Sequence, residues 1–334
     1  MNIYDIAELA GVSIATVSRV VNDSPMVSEK TKQKVIKVMQ EHDYIPNVFA
    51  RGLGLNSMKT IGLVCPDISD AYMAKAVAFL ESYLRDYGYD CMLCCSGNKY
   101  EDCQIAVNTI LQKRIDALIM IGSIYSENED NPQNVDYIKQ ASQKIPVFLI
   151  NAYIQDENIY CALCDDFLAS YNAVTELILS GKRKILYLSD SNSFSANKKR
   201  MGYEKALKDN KIKLDQNLIM LTPNKIIETR DLLLSKQLDF DAVFATDDGL
   251  AVGAIKYAKC KNLRIPQDVS IIGYNNFEIS VSCEPELSTI DSRVERLCKI
   301  IIDSMMLLFK KKTIMNKVYV KANLIRRATT YSNQ

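Results

Sequence analysis

The stretch "IYDIAELAGVSIATVSRVVN", residues 3–22, decides how the N-terminal part of this chain is read. Ile3, Ile6, Leu9 and Ala10 recur at helical spacing and predict one apolar face. Gly11 suits the left-handed residue that ends a helix. Ser13 is a good N-cap for a second helix. In that helix Val17, Val20 and Val21 point inward. Ile14, Ala15, Thr16, Ser18 and Arg19 are left outward, near its N-terminal half. Two short helices joined by a tight Gly-containing turn predict a helix-turn-helix. Its second helix can lie in the DNA major groove with its first residues on base edges. A third helix, capped by Ser28 and running to about His42, completes a small core with Val35, Val38 and Met39. Residues 1–59 carry 7 Lys/Arg against 6 Asp/Glu. Charge therefore does not separate a DNA-binding head from a small bundle that packs on another domain.

From residue 60 the rhythm changes. Short apolar runs such as "TIGLVCPD", "DALIMIG", "IPVFLIN", "RKILYLSD", "DAVFATDD" and "VSIIGYNN" alternate with amphipathic helical stretches. Strands buried on both faces with helices between them predict an α/β fold with doubly wound parallel sheets. There are too many β-α units for one sheet of about six strands, so two similar lobes with a cleft between them are expected. Ligands of such sheets bind beyond the carboxyl ends of the strands.

The whole-chain totals exclude several classes. A chain of 334 residues holds two or three domains. Its net charge of +1 announces neither nucleic acid nor membrane. No apolar run approaches the length of a transmembrane helix, and the polar start "MNIYDIAELAG" lacks the features of a signal peptide. The expected location is the cytoplasm, with no membrane partner. Ten cysteines include two CxxC pairs, Cys91/Cys94 and Cys161/Cys164. Both pairs fall in predicted buried strands, where residues i and i+3 face opposite ways and chelate poorly. The reading is core cysteines in a reducing compartment, with no metal. There is no phosphate loop, no GxSxG elbow and no HExxH. The single histidine is His42. No catalytic residue and no cofactor are expected, and the chain is not read as an enzyme.

The ordered motifs carry a resemblance. "IYDIAELAGVSIATVSRVVN…VSEKTKQKVIKVMQEHDYIPNVFARGL" resembles the start of the lactose repressor/galactose repressor (LacI/GalR) family of bacterial transcriptional regulators. The likeness continues through "TIGLVCPDISDAY", "RMGYEKAL", "DAVFATDDGLAVGA", "RIPQDVSIIGYNN" and "PELSTID" in the family's order. It implies a helix-turn-helix head at 1–44, a hinge helix and linker at 45–58, and a two-lobed core at 59–334 that resembles the periplasmic binding proteins. That core would bind an effector and form a homodimer. The implied partner is double-stranded DNA with a palindromic operator. By resemblance Ile14 and Ala15 set sequence preference and Arg19 contacts a base. Ser13, Thr16, Ser18 and Asn22 contact the DNA backbone, joined by Arg51 from the hinge. Leu53, between Gly52 and Gly54, takes the place of the leucine that enters the minor groove. There an apolar wedge unstacks base pairs and bends the duplex. The segment from Pro46 to Leu53 is too short to hold a helix alone, so it is expected to fold on DNA and to serve as the switched element.

The effector residues implied by the family are Asp70, Tyr72, Asn151, Lys199, Asp247 and Asn275. Several depart from its pattern. Asn151 stands where Asp is common, and Lys199 where Arg is usual. Asp247 replaces Asn, and Asn275 replaces Asp. A ring of Asp, Asn and Lys beside a Tyr suits a polyol, so a sugar or sugar phosphate is the expected small-molecule effector, with a nucleobase second. The expected role is repression of a carbohydrate-utilisation operon. The competing reading is a cytoplasmic ligand-binding protein or α/β enzyme with a non-functional head. No leucine heptad trails "RRATTYSNQ", so a dimer is expected rather than a tetramer held by a coiled coil.

Overall fold

A computed structural model describes residues 1–22, 24–44, 57–127 and 132–331. Residues 45–56 hold most of the expected hinge, with Arg51 and Leu53, and lie outside the described residues.

The head consists of α1 (Ile3–Leu9), α2 (Ile14–Val21) and α3 (Glu29–Glu41). Each start is capped as its sequence requires. The Asn2 side chain accepts the N–H of Asp5 at 3.2 Å, and the Asp5 carboxylate accepts the Asn2 N–H at 2.8 Å, a reciprocal capping box. Ser13 accepts the N–H of Thr16 at 3.2 Å, and Ser28 that of Thr31 at 3.3 Å. Gly11 has φ +60° in the turn, a conformation that costs glycine little. Ile6, Ala7, Ala10, Val17, Val20 and Val35 form the core. Leu9 departs from the expectation: it is 50% exposed. The inward set is Ile3, Ile6, Ala7 and Ala10, which follows i, i+3, i+4, i+7; Leu9 falls on the opposite side of that stripe.

The remaining chain forms two lobes. The first contains β1 (Thr60–Cys65), α4 (Ala71–Asp86), β2 (Asp90–Cys95), α5 (Tyr100–Leu111), β3 (Ala117–Ile121), α6 (Asp136–Ser142), β4 (Val147–Ile150) and β5 (Ile159–Cys164). The second contains α7 (Asp166–Leu179), β6 (Ile185–Ser189), α8 (Phe194–Asp209), β7 (Ile219–Leu221), α9 (Ile226–Ser235), β8 (Ala242–Ala245), α10 (Asp248–Cys260), β9 (Ser270–Tyr274), α11 (Ile279–Ser282) and β10 (Ser288–Asp291). The chain then returns to the first lobe as α12 (Val294–Phe309) and β11 (Lys317–Val320), and ends in the second as β12 (Asn323–Ile325). The strand orders are β11-β5-β4-β3-β1-β2 and β12-β10-β9-β8-β6-β7. Every pairing is parallel except β10 with β12. Two doubly wound sheets are thus present, and three crossovers join them, near residues 165, 292 and 321.

The cysteines follow the strand rule. Cys91 and Cys164 pack into the hydrophobic layer between α4, α12 and the first sheet, whereas Cys94 and Cys161 pack on its other face. Neither CxxC pair converges. One expectation needs correction: β2 is an edge strand rather than a fully buried one, with Leu93 40% exposed and Cys95 exposed. Among the described residues no helix is long and apolar enough to cross a membrane.

Candidate functional site

The loops that leave the carboxyl ends of both sheets enclose a cavity of about 350 Å³ between the lobes. All six residues expected at the effector site line it: Asp70, Tyr72, Asn151, Lys199, Asp247 and Asn275. Local structure fixes each of them. Asp70 caps α4, accepting the N–H of Tyr72 at 2.8 Å and of Met73 at 3.1 Å. Asp247 caps α10 through the N–H of Gly249 at 2.8 Å. Asn151 and Asn275 follow β4 and β9 with φ of +62° and +99°, backbone that Asn tolerates better than most residues. The Asn151 side-chain Oδ1 accepts the Cys164 N–H at 3.2 Å, which braces it against β5.

The two departures at 247 and 275 are coupled. Asn275 Nδ2 donates to Asp247 Oδ2 at 3.0 Å. The carboxylate and the amide have exchanged ends of one hydrogen bond rather than disappeared. Lys199 is buried at 8% exposure, donates to the Thr246 carbonyl at 3.1 Å and lies 3.8 Å from the Tyr274 ring centre. Its ammonium keeps two further protons to donate. Tyr72 contributes less than expected. It is 8% exposed, and its hydroxyl lies in the interior with no hydrogen-bond partner among the described residues.

Sequence reasoning missed Asp190, Ser193 and Ser195, which line the same cavity. Asp190 directly follows β6, so its place beyond a strand end was a signal that could have found it. Burial pushes the Asp70 and Asp247 carboxyls up, and the Asp190 charge adds to both. Asp67, Asp70, Asp190 and Asp247 therefore face one buried lysine. Two of the helix N-termini that could hold an anion are already occupied by Asp70 and Asp247.

Beneath this floor a buried network reaches the first crossover. Ser195 donates to Asp166 Oδ2 at 2.5 Å, and Tyr274 donates to Asp166 Oδ1 at 2.6 Å. Asp166 is the first residue of α7, just after the chain leaves β5. The Tyr274 hydroxyl also lies 3.7 Å from Cys164 Sγ, at the end of β5.

In the head, Ile14, Ala15 and Arg19 are exposed on α2, and Thr16, Ser18 and Asn22 are partly exposed beside them. Ser13 is exposed, with its hydroxyl 2.9 Å from that of Thr16. The residues expected to read DNA from the head thus share one accessible helix.

Comparison with known proteins matches two family profiles to the chain. The profile described as "Bacterial regulatory proteins, lacI family" matches residues 2–47. That described as "Periplasmic binding proteins and sugar binding domain of LacI family" matches residues 58–327. An HTH-type transcriptional regulator of Lachnoclostridium phytofermentans is 49% identical over 333 residues, covering 99% of both chains. Catabolite control protein A of Priestia megaterium is 30% identical over 331 residues, covering 98% of this chain and 96% of its own. Among solved structures, the lac repressor dimer bound to operator and an anti-inducer superposes with a TM-score of 0.88 at 26% identity, covering 99% of each chain.

Proposed function

The chain belongs to the LacI family of bacterial transcriptional regulators, and on that premise we propose that it is a homodimeric, cytoplasmic repressor whose affinity for a palindromic operator is set by a sugar in the interlobe cleft. The observation that carries the effector reading is the composition of the cleft. Four carboxylates and three amides accept and orient hydroxyl groups, and Lys199 adds a donor. An uncharged sugar fits this field better than a sugar phosphate, because a phosphate would face Asp70, Asp190 and Asp247 with one cation to meet it. The regulated genes would then belong to carbohydrate use.

The head reads sequence through Ile14, Ala15 and Arg19, with Arg19 suited to a guanine edge. Ser13, Thr16, Ser18 and Asn22 hold the phosphates and fix the helix in the groove. Arg51 and Leu53 complete the interface at the operator centre, where a kinkable pyrimidine–purine step lowers the cost of Leu53 insertion. The path from cleft to head runs through the crossovers. Ser195 and Lys199 touch both the cavity and the Tyr274–Asp166 network, so a ligand that engages them acts where the two lobes join. A change in lobe angle alters the spacing of two marginal hinge helices, and a coupling of about 1–3 kcal/mol suffices.

Selection of binding sites from a random duplex library at about 150 mM salt tests the DNA reading, because affinity depends steeply on ionic strength. Wild type should enrich one palindrome with a central pyrimidine–purine step. Arg19→Ala should relax the base preference at one position in each half-site. Failure to enrich any palindrome, alone and with a pool of sugars, would favour the ligand-binding protein with an inert head.

A further inference from the structure

The interlobe cavity does not end at Ser123 and Ser193. Beyond these residues and Ile124, which both spaces share, a second cavity of about 600 Å³ opens between the loop after β3 and the outer flank of α8. A single sugar ring held by Asp70 and Asp247 leaves it unfilled. Its lining is amide-rich: Asn134 enters from the first lobe, and Asn192 and Asn197 from the second. Asn134 Nδ2 donates to the Ser126 carbonyl at 3.2 Å, while its Oδ1 is buried with no partner among the described residues. Asn197 Nδ2 donates to the Asn192 carbonyl at 3.1 Å, which leaves its own carbonyl oxygen available as an acceptor.

Both carboxylates here are paired within the protein. Glu204 takes Arg200 at 2.8 Å, and Glu127 takes Lys139. Lys198 lies 5.4 Å from the Phe194 ring centre. What remains for a ligand is hydrogen bonding by amides and hydroxyls beside an aromatic ring, which suits hydroxyl groups on a ring with one apolar face.

Resting on the sugar reading above, we propose that the effector is an oligosaccharide of at least two units, the first in the acidic cleft and the second in the cavity between Asn134 and Asn197. Length discrimination then belongs to the second cavity and ring recognition to the first.

Calorimetric titration of the full chain tests this with glucose, xylose, galactose and mannose, each beside its own disaccharides: cellobiose and maltose, xylobiose, lactose, and mannobiose. In at least one set the disaccharide should bind tighter than its monosaccharide by about tenfold or more. Asn197→Ala and Asn134→Ala should each reduce that preference by several-fold and leave monosaccharide affinity unchanged. Asn197 is exposed on α8, so its replacement should leave the melting temperature unaltered. Equal affinity for a monosaccharide and its disaccharides, or a preference that survives the double variant, would overturn the second subsite and leave the sugar reading standing. Absence of binding by every saccharide would overturn the sugar reading itself, and this inference with it.

Discussion

Asp247 and Asn275 carry the most specific chemistry in the cleft, because each replaces what the family pattern leads one to expect at the other. Their hydrogen bond of 3.0 Å makes them one unit. Replacing either residue alone should weaken effector binding: Asp247→Asn leaves two amides, and Asn275→Asp sets two carboxylates against each other. The double exchange Asp247→Asn with Asn275→Asp should recover most of the loss. A double-mutant cycle by calorimetry should give a coupling of about 1 kcal/mol or more. Additive losses would mean that the two residues act separately. Asp248, next in sequence, behaves differently. It is fully buried, accepts from Thr289 at 2.5 Å and from the Phe277 N–H at 2.8 Å, and burial raises its carboxyl from 3.8 to about 7. A raised folded pKa means that the native state holds a proton the unfolded chain releases. That contribution is complete below pH 3.8 and is lost as pH rises toward 7. The melting temperature of Asp248→Asn relative to wild type should therefore be higher at pH 8 than at pH 5. An unchanged difference between the two pH values would show that Asp248 does not titrate in this range.

Among the elements, α7 and α8 are packed most closely where Gly202 sits. A Cβ at this position would lie 2.3 Å from the Phe167 carbonyl oxygen and 3.0 Å from the Tyr171 amide nitrogen, both of them backbone. Gly202→Ala should thus cost about 2 kcal/mol, as overpacking does, measured by denaturant unfolding. It should also displace Lys199, one turn earlier on the same helix. A cost near zero would mean that the two helices separate freely. Elements with local signals were legible in the sequence. The β-α alternation gave the strands, and the family resemblance gave Asn151, Asp247 and Asn275, which lie just beyond strand ends. The cap residues Ser13 and Ser28 gave two head-helix starts. What was not legible depends on distant partners. The helix α12 has a clear apolar stripe, with Val294, Leu297, Ile301 and Met305 buried. Yet nothing local says that it leaves the second lobe to pack on the first. Leu9 was misassigned because its neighbour Ala7 supplies the inward contact that a larger side chain would have been expected to make. The second cavity joins a loop to the flank of a helix and has no sequence period at all.

At the scale of the whole molecule, three crossovers tie the lobes together, and the cleft lies directly above one of them. The Asp166 network is where a ligand's contacts and the joint between the lobes share atoms. The dimer matters for a separate reason. One head reads one half-site, and two heads are placed symmetrically only by paired cores. In the function proposed above, control of DNA binding passes from lobe angle to the heads, and it should be reciprocal: operator should change sugar affinity by the same factor by which sugar changes operator affinity. The most direct measurement is fluorescence anisotropy on the selected operator at fixed salt, with and without a saturating saccharide that raises the melting temperature. The account predicts a change in operator affinity of about 5- to 150-fold, abolished in Asp247→Ala. An operator affinity that stays constant while the cleft is saturated would contradict it.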